Sequence, residues 1–180
     1  IKVKVRRIGG GFGGKETQSF IFSVISTLLS KHTNKPVKLK IDRDDDMIIT
    51  GKRHDFYYKY KVGFREDGCI NGLKIILASR CGFSPDLSGA INDRAIFHID
   101  NAYYIPTIDL ISYRCKTNTV SNTAFRGFGG PQGMYCIENI IENISEFLKV
   151  DSSIVRKNNF NIKYTKNITH YGMKICLLYT

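Results

Sequence analysis

The chain has 180 residues, 42% hydrophobic and 24% charged, close to globular averages, which excludes a disordered segment and makes one core the expectation. Its net charge of +11 comes from scattered lysines and arginines without a basic block or nucleic-acid motif, so neither nucleic acid nor an acidic membrane surface is an expected partner. The five cysteines form no CxxC pair, which argues against a zinc ribbon or a cysteine-held cluster and for free thiols in a reducing compartment.

Residues 1–8 alternate Ile and Val with Lys and Arg, the period of a half-buried strand. A glycine loop comes next, then a helix expected over about residues 15–31, where Phe20, Ile21, Val24, Ile25, Leu28 and Leu29 make one stripe. His32-Thr33-Asn34-Lys35-Pro36 ends it, and residues 37–41 alternate again as a second strand. Asp42-Arg43-Asp44-Asp45-Asp46 offers alternate carboxylates like a calcium loop. Met47 stands where that loop needs glycine and Arg53 where it needs a bidentate glutamate, so an exposed acidic turn is expected. Phe56–Phe64 and residues 70–77 are β-rich and joined by Arg65-Glu66-Asp67-Gly68, a hairpin signal. Residues 85–97 read as a short helix or ordered loop, and 103–115 as a strand around Pro106. After a second glycine loop, Ile137, Ile140, Ile141, Ile144, Phe147 and Leu148 define an amphipathic helix, and Asp151 is an N-cap for a short helix through Val155. The pattern fades beyond Asn161. No linker divides the chain, so the expected fold is one α+β unit, a mixed sheet with packed helices.

There is no initiator Met, no signal peptide pattern and no run long enough to span a membrane, and the chain reads as a piece of something longer. Asn143-Ile144-Ser145 and Asn167-Ile168-Thr169 fit the glycosylation pattern but are chance matches in a cytosolic chain.

The two glycine loops share four letters, Gly11-Phe12-Gly13-Gly14 and Gly127-Phe128-Gly129-Gly130. Each precedes a helical pattern, where glycine permits left-handed backbone and unpaired amides suit an oxyanion or metal-oxo group. Two identical loops far apart in sequence suggest two walls of one site. Gly9-x-Gly11-x-x-Gly14 also fits a dinucleotide fingerprint, with Asp42 as its acidic partner, although Phe12 and Lys15 are bulky for it and it leaves the second loop without a purpose. A P-loop is excluded because Glu16 replaces the hydroxyl residue needed for magnesium.

Both loops with their flanking words resemble the molybdenum hydroxylases, within them the xanthine dehydrogenase/oxidase group. The resemblance is carried by residues 9–17, by Asp93-Arg94-Ala95-Ile96-Phe97-His98-Ile99-Asp100-Asn101, and by Cys115-Lys116-Thr117-Asn118 running into residues 121–133. It implies a partial molybdopterin-binding domain over residues 1–173, with 174–180 as an unmatched tail. By this resemblance Phe12 and Gly13 direct backbone amides at the molybdenum–molybdopterin centre, and the backbone nitrogen of Arg126 borders the metal. Glu16 matches a glutamate that hydrogen-bonds the purine, where aldehyde-oxidising relatives usually carry an apolar residue. On its residues alone it is a carboxylate at a helix N-terminus. Arg94 matches an arginine that binds the substrate's carbonyl oxygen and stabilises negative charge on the ring; the plainer alternative is an ion pair with Asp93 or Asp100. Phe128 matches one of two phenylalanines that sandwich the purine.

The resemblance further implies hydroxylation of hypoxanthine to xanthine and of xanthine to urate. Electrons would leave through 2Fe-2S clusters and FAD to NAD or oxygen, in a homodimer of cytoplasmic or peroxisomal location. The family's glutamate base, its second phenylalanine and the glutamine beside the metal have no match in this stretch, so residues 1–180 alone are expected to be inactive. An aldehyde oxidase is the alternative within the family, a Rossmann unit the one outside it, and a non-catalytic remnant that only binds partners a third.

Overall fold

The computed structural model describes residues 2–5, 7–161 and 167–175. The elements are α1 (Ser19–Thr33), α2 (Arg43–Ile49), β1 (Phe56–Phe64), β2 (Ile70–Gly82), α3 (Ser88–Phe97), β3 (Ile108–Lys116), α4 (Gly130–Leu148) and α5 (Ser152–Asn159). The strands form one mixed sheet in the order β1-β2-β3, which with its helices is the α+β architecture expected. β1 and β2 are the antiparallel hairpin read from the sequence. Gly68 takes φ +81° in its turn and donates to the carbonyl of Arg65 at 2.9 Å, and Asp67 accepts the Cys69 amide at 3.0 Å. β2 crosses through α3 to β3, which lies parallel to it. A parallel pair needs such a crossover, and this one sets α3 beside the sheet.

Alternation along β1 turns Phe56, Tyr58, Tyr60, Val62 and Phe64 inward, while Leu73, Ile75 and Leu77 of β2 are buried. α4 packs onto this face with Cys136, Ile137, Ile140, Ile141 and Ile144. Each fully buried isoleucine contributes about 2 kcal/mol of transfer free energy. The same burial pushes the Cys136 thiol up to about 12, which makes it a packing group and no nucleophile. Asp151 caps α5 by accepting the Ser153 amide at 2.8 Å, as its position in the sequence predicts. Arg156 of α5 then grips Glu138 at 3.0 Å and Glu142 on α4.

Several stretches depart from their patterns. Among residues 2–5, 7 and 8 there is no strand, and Val3, Val5 and Ile8 are largely exposed. Residues 37–41 form none either. Alternation yields a strand only beside a partner for its backbone groups, and the β1-β2-β3 sheet offers these stretches none among the described residues. α1 begins at Ser19, because residues 12–17 are turns and bends and hold the chain off the helical path. It has its apolar stripe but buries no residue. The acidic run is a helix start: Asp42 accepts the Asp45 amide at 3.0 Å, and Asp44, Asp45 and Asp46 fill the first turn of α2, where the dipole favours them. β3 begins only at Ile108, past Pro106, and Tyr103 instead bridges to Phe160.

Near the C-terminus Ile168 pairs with Lys174 in a small hairpin that spans the boundary expected at residue 173. The hairpin docks through His170, whose Nδ1 lies 2.9 Å from Asp100 Oδ2. Cys69, Cys81, Cys115 and Cys136 are free thiols, whereas Cys176 lies outside the described residues, as do residues 177–180 of the expected tail. Among the described residues no helix is long and apolar enough to cross a membrane.

Candidate functional site

The two glycine loops have the same local geometry. Phe12 and Gly13 take φ 50° and 101°, and Phe128 and Gly129 take φ 50° and 100°. The turns close with Gly14 donating to Gly11 at 3.2 Å and Gly130 donating to Gly127 at 3.0 Å. Two successive positive φ values inside such a bond define a type I′ turn, in which the second position suits glycine and the phenylalanine carries the strain. The Phe12 ring folds back over Gly10, where any β-carbon would strike it. The loops differ in how they lead into a helix. Gly129 is the N-cap of α4, whereas α1 starts five residues after Gly14.

Gly13 brings the loops together. A β-carbon there would lie 2.8 Å from the carbonyl carbon of Ala124 and 2.9 Å from the Phe125 nitrogen, so the first turn packs flush against the peptide leading into the second. The second turn is pressed onto α3. β-carbons at Gly129 and Gly133 would overlap the carbonyls of Ile91 and Ala95, the residues flanking Arg94 on either side in the helix. Both close approaches need glycine.

Among the described residues the backbone amides of Phe12, Gly13 and Arg126 donate to no acceptor, and all three belong to this pair of loops. Free N–H groups in such loops are ready donors to an anionic or oxo group. Among the described residues no three His, Cys, Asp or Glu side chains converge for a metal ion, so amides are the donors this region offers. That donor set fits a molybdenum–molybdopterin group.

The side chains singled out in the sequence are distributed around these loops. Phe12 is 63% exposed, and Phe128 is half-buried and stacks on no other ring among the described residues. Arg94 is exposed on α3 and makes no ion pair among the described residues, since Asp100 is engaged with His170. Glu16 is exposed and makes no bond among the described residues, and it stands two residues ahead of the Gln18 N-cap, so it is no helix-start carboxylate. No bond joins Glu16 to Arg94, which lies on α3. Thr17 and Gln18, next to Glu16, donate to Asp86 Oδ2 at 3.0 and 3.2 Å, two residues before α3, while Arg94 lies near its far end.

Sequence reading missed Arg53, which donates through Nη2 to the Arg126 carbonyl at 2.7 Å and lies 4.6 Å over the Phe125 ring. It also missed Gln18 and Asp86, and the buried His54, Ser88 and Gln132 beneath the second loop. Only Gln132 falls within a family word, and each partner lies 33 to 78 residues away. The dinucleotide reading loses its geometry: among the described residues no strand enters the first loop and no helix leaves it directly, and Asp42 caps α2.

The chain belongs to the molybdopterin cofactor-binding domain family, whose model matches residues 1–160. That family's cofactor is the one the sequence reading expected. The chain is 49% identical over 157 residues to a xanthine dehydrogenase of Dictyostelium discoideum, covering 87% of this chain and 12% of that protein. It is 47% identical over 176 residues to a xanthine dehydrogenase/oxidase of Mus musculus, covering 97% and 13% respectively. In structure it resembles the aldehyde oxidoreductase from Desulfovibrio gigas, with a TM-score of 0.75 and 26% identity over 87% of this chain and 17% of that one. The chain thus spans about an eighth of the length of the curated relatives it matches.

Proposed function

We propose that this chain forms part of the cofactor pocket and half of the substrate site of a xanthine dehydrogenase, a molybdenum hydroxylase acting on purines. The observation that carries the reading is the set of free amides at Phe12, Gly13 and Arg126, gathered by the contact of Gly13 with Ala124. When bound, the molybdenum–molybdopterin group supplies the redox chemistry. The chain's own residues hold and orient: the three amides donate to oxygen atoms of the cofactor, and Phe128 presents a flat face to a flat heterocycle. Arg94, exposed and without an ion pair among the described residues, keeps paired donors for a carbonyl oxygen and for charge gathering on the ring. Glu16 offers an acceptor to ring N–H groups.

The 2Fe-2S clusters, FAD, the NAD site and the general base belong to the rest of the intact protein, which is a homodimer in the cytoplasm or peroxisome. Reduced thiols suit that setting. Aldehyde oxidation is the competing activity, and Glu16 with Arg94 favours the purine. The test is turnover of xanthine and of an aromatic aldehyde by the full-length protein and its Glu16→Val and Arg94→Met variants. Each variant lowers xanthine kcat/KM at least about tenfold and spares the aldehyde, as expected when a buried polar contact made to the substrate is lost. Equal loss on both substrates, or wild-type preference for the aldehyde, sinks the purine assignment.

A further inference from the structure

Residues 50–55, between α2 and β1, bond to segments next to both glycine loops. Gly51 donates to Gln18 Oε1 at 2.8 Å, next to the first loop. Thr123, ahead of the second loop, donates its amide to the Lys52 carbonyl at 3.0 Å, and Lys52 donates to Asn122 Oδ1 at 3.3 Å. His54 lies deepest, 2% exposed. Its Nε2 is 2.7 Å from the Oγ of Ser88, the first residue of α3. Its carbonyl accepts Nε2 of Gln132, in the first turn of α4, at 3.3 Å, and Tyr58 donates to the Gln132 carbonyl at 2.8 Å. One buried residue therefore bonds to the helix that bears Arg94 and to the helix that the second loop opens.

We propose that His54 is a positioning residue that sets the spacing of α3 against the N-terminus of α4, and so holds Arg94 at a fixed distance from Arg126 and Phe128. The proposal rests on the reading that Arg94 and Phe128 grip one purine. Gly129 and Gly133 leave no slack between α3 and α4, so a shift where Ser88 or Gln132 is held is transmitted along packed backbone to Arg94. Burial favours the neutral imidazole over the opposing effects of the Thr123 backbone, Asp86 and Asp55, and Nε2 of that ring is tied to the Ser88 hydroxyl. The bond to Gln132 is made by the backbone and fixes where residue 54 sits, and the ring's bond to the Ser88 hydroxyl then ties α3 to that fixed point.

The test is a double-mutant cycle on the full-length protein, with molybdenum per polypeptide and the Kd of urate as readouts. Urate is the end product of the proposed reaction, and its binding is followed by titration calorimetry. His54→Leu weakens urate about tenfold with molybdenum retained, and His54→Gln, whose amide can still reach Ser88, weakens it about twofold. In the Arg94→Met background His54→Leu adds less than about twofold, because the contact it positions is already gone. The same factor with and without Arg94 overturns the proposal, as does a His54→Leu protein that binds like wild type. Should His54→Leu lose molybdenum, Ser88→Ala takes its place in the cycle, and additivity with Arg94→Met again overturns the idea. Unchanged urate affinity in Arg94→Met alone overturns the purine reading and this proposal with it, whereas additivity overturns this proposal only.

Discussion

Arg53 donates to the Arg126 carbonyl at 2.7 Å, so a residue on the approach to β1 governs the backbone of a loop 73 positions further along the chain. The same guanidinium covers the Phe125 ring. Together the bond and the ring contact contribute about 1 kcal/mol at a partly exposed site. Arg53→Met in the full-length protein is therefore expected to raise hydrogen exchange of the amides at residues 125–128 about fivefold, with no change at the hairpin turn around Gly68. Unaltered exchange in that loop would count against Arg53 as its support.

Gly13 combines φ +101° with a contact that leaves no room for a methyl group, whereas Gly14 has open space where its β-carbon would stand. Gly13→Ala adds backbone strain of about 1–2 kcal/mol and parts the two loops, while Gly14→Ala does neither. Molybdenum analysis of the purified full-length variants is expected to show cofactor loss in the first and near-normal content in the second. Equal content in both would separate the loop contact from cofactor retention.

His54 links stability to acid. Burial holds its imidazole below the ordinary 6.5, so as pH falls past 6.5 the unfolded chain takes up a proton that the folded chain does not. Stability from this group is complete above 6.5 and declines as pH drops below it. The apparent Tm of the full-length protein should fall more from about pH 7.5 to about pH 5.5 than that of His54→Gln, which lacks the titrating ring. Parallel curves would mean that His54 is not the group responsible.

Ile140 is fully buried where α4 meets the sheet. Truncation to alanine costs about 2–5 kcal/mol through lost transfer energy and the cavity left behind. The expected result is a lower apparent Tm of the full-length protein, with an unfolding step that separates from the rest. Phe147→Ala, on the same helix but 76% exposed, is the control and should shift Tm far less.

Local pattern is enough wherever the partner is near in sequence. The hairpin of β1 and β2 and the caps at Asp151 and Gly129 depend on bonds a few residues apart, and α4 carries its own stripe. Residues 1–8 and 37–41 carry the alternation of strands yet pair with nothing among the described residues, because alternation announces a face and not a neighbour. The exposed acidic turn expected at Asp42 is the first turn of α2, which continues as a helix because Asp42 finds the Asp45 amide.

The sequence by itself determined the two Phe-Gly turns, since consecutive left-handed angles there demand glycine after the phenylalanine, and it determined the words that tie the chain to its family. Tertiary structure alone decided that the first turn rests on Ala124, that α3 packs against the second, and that Arg53 and His54 bond to the residues around them. Contacts between residues far apart in the chain depend on how the sheet and helices stack, and no periodicity along the chain encodes that distance.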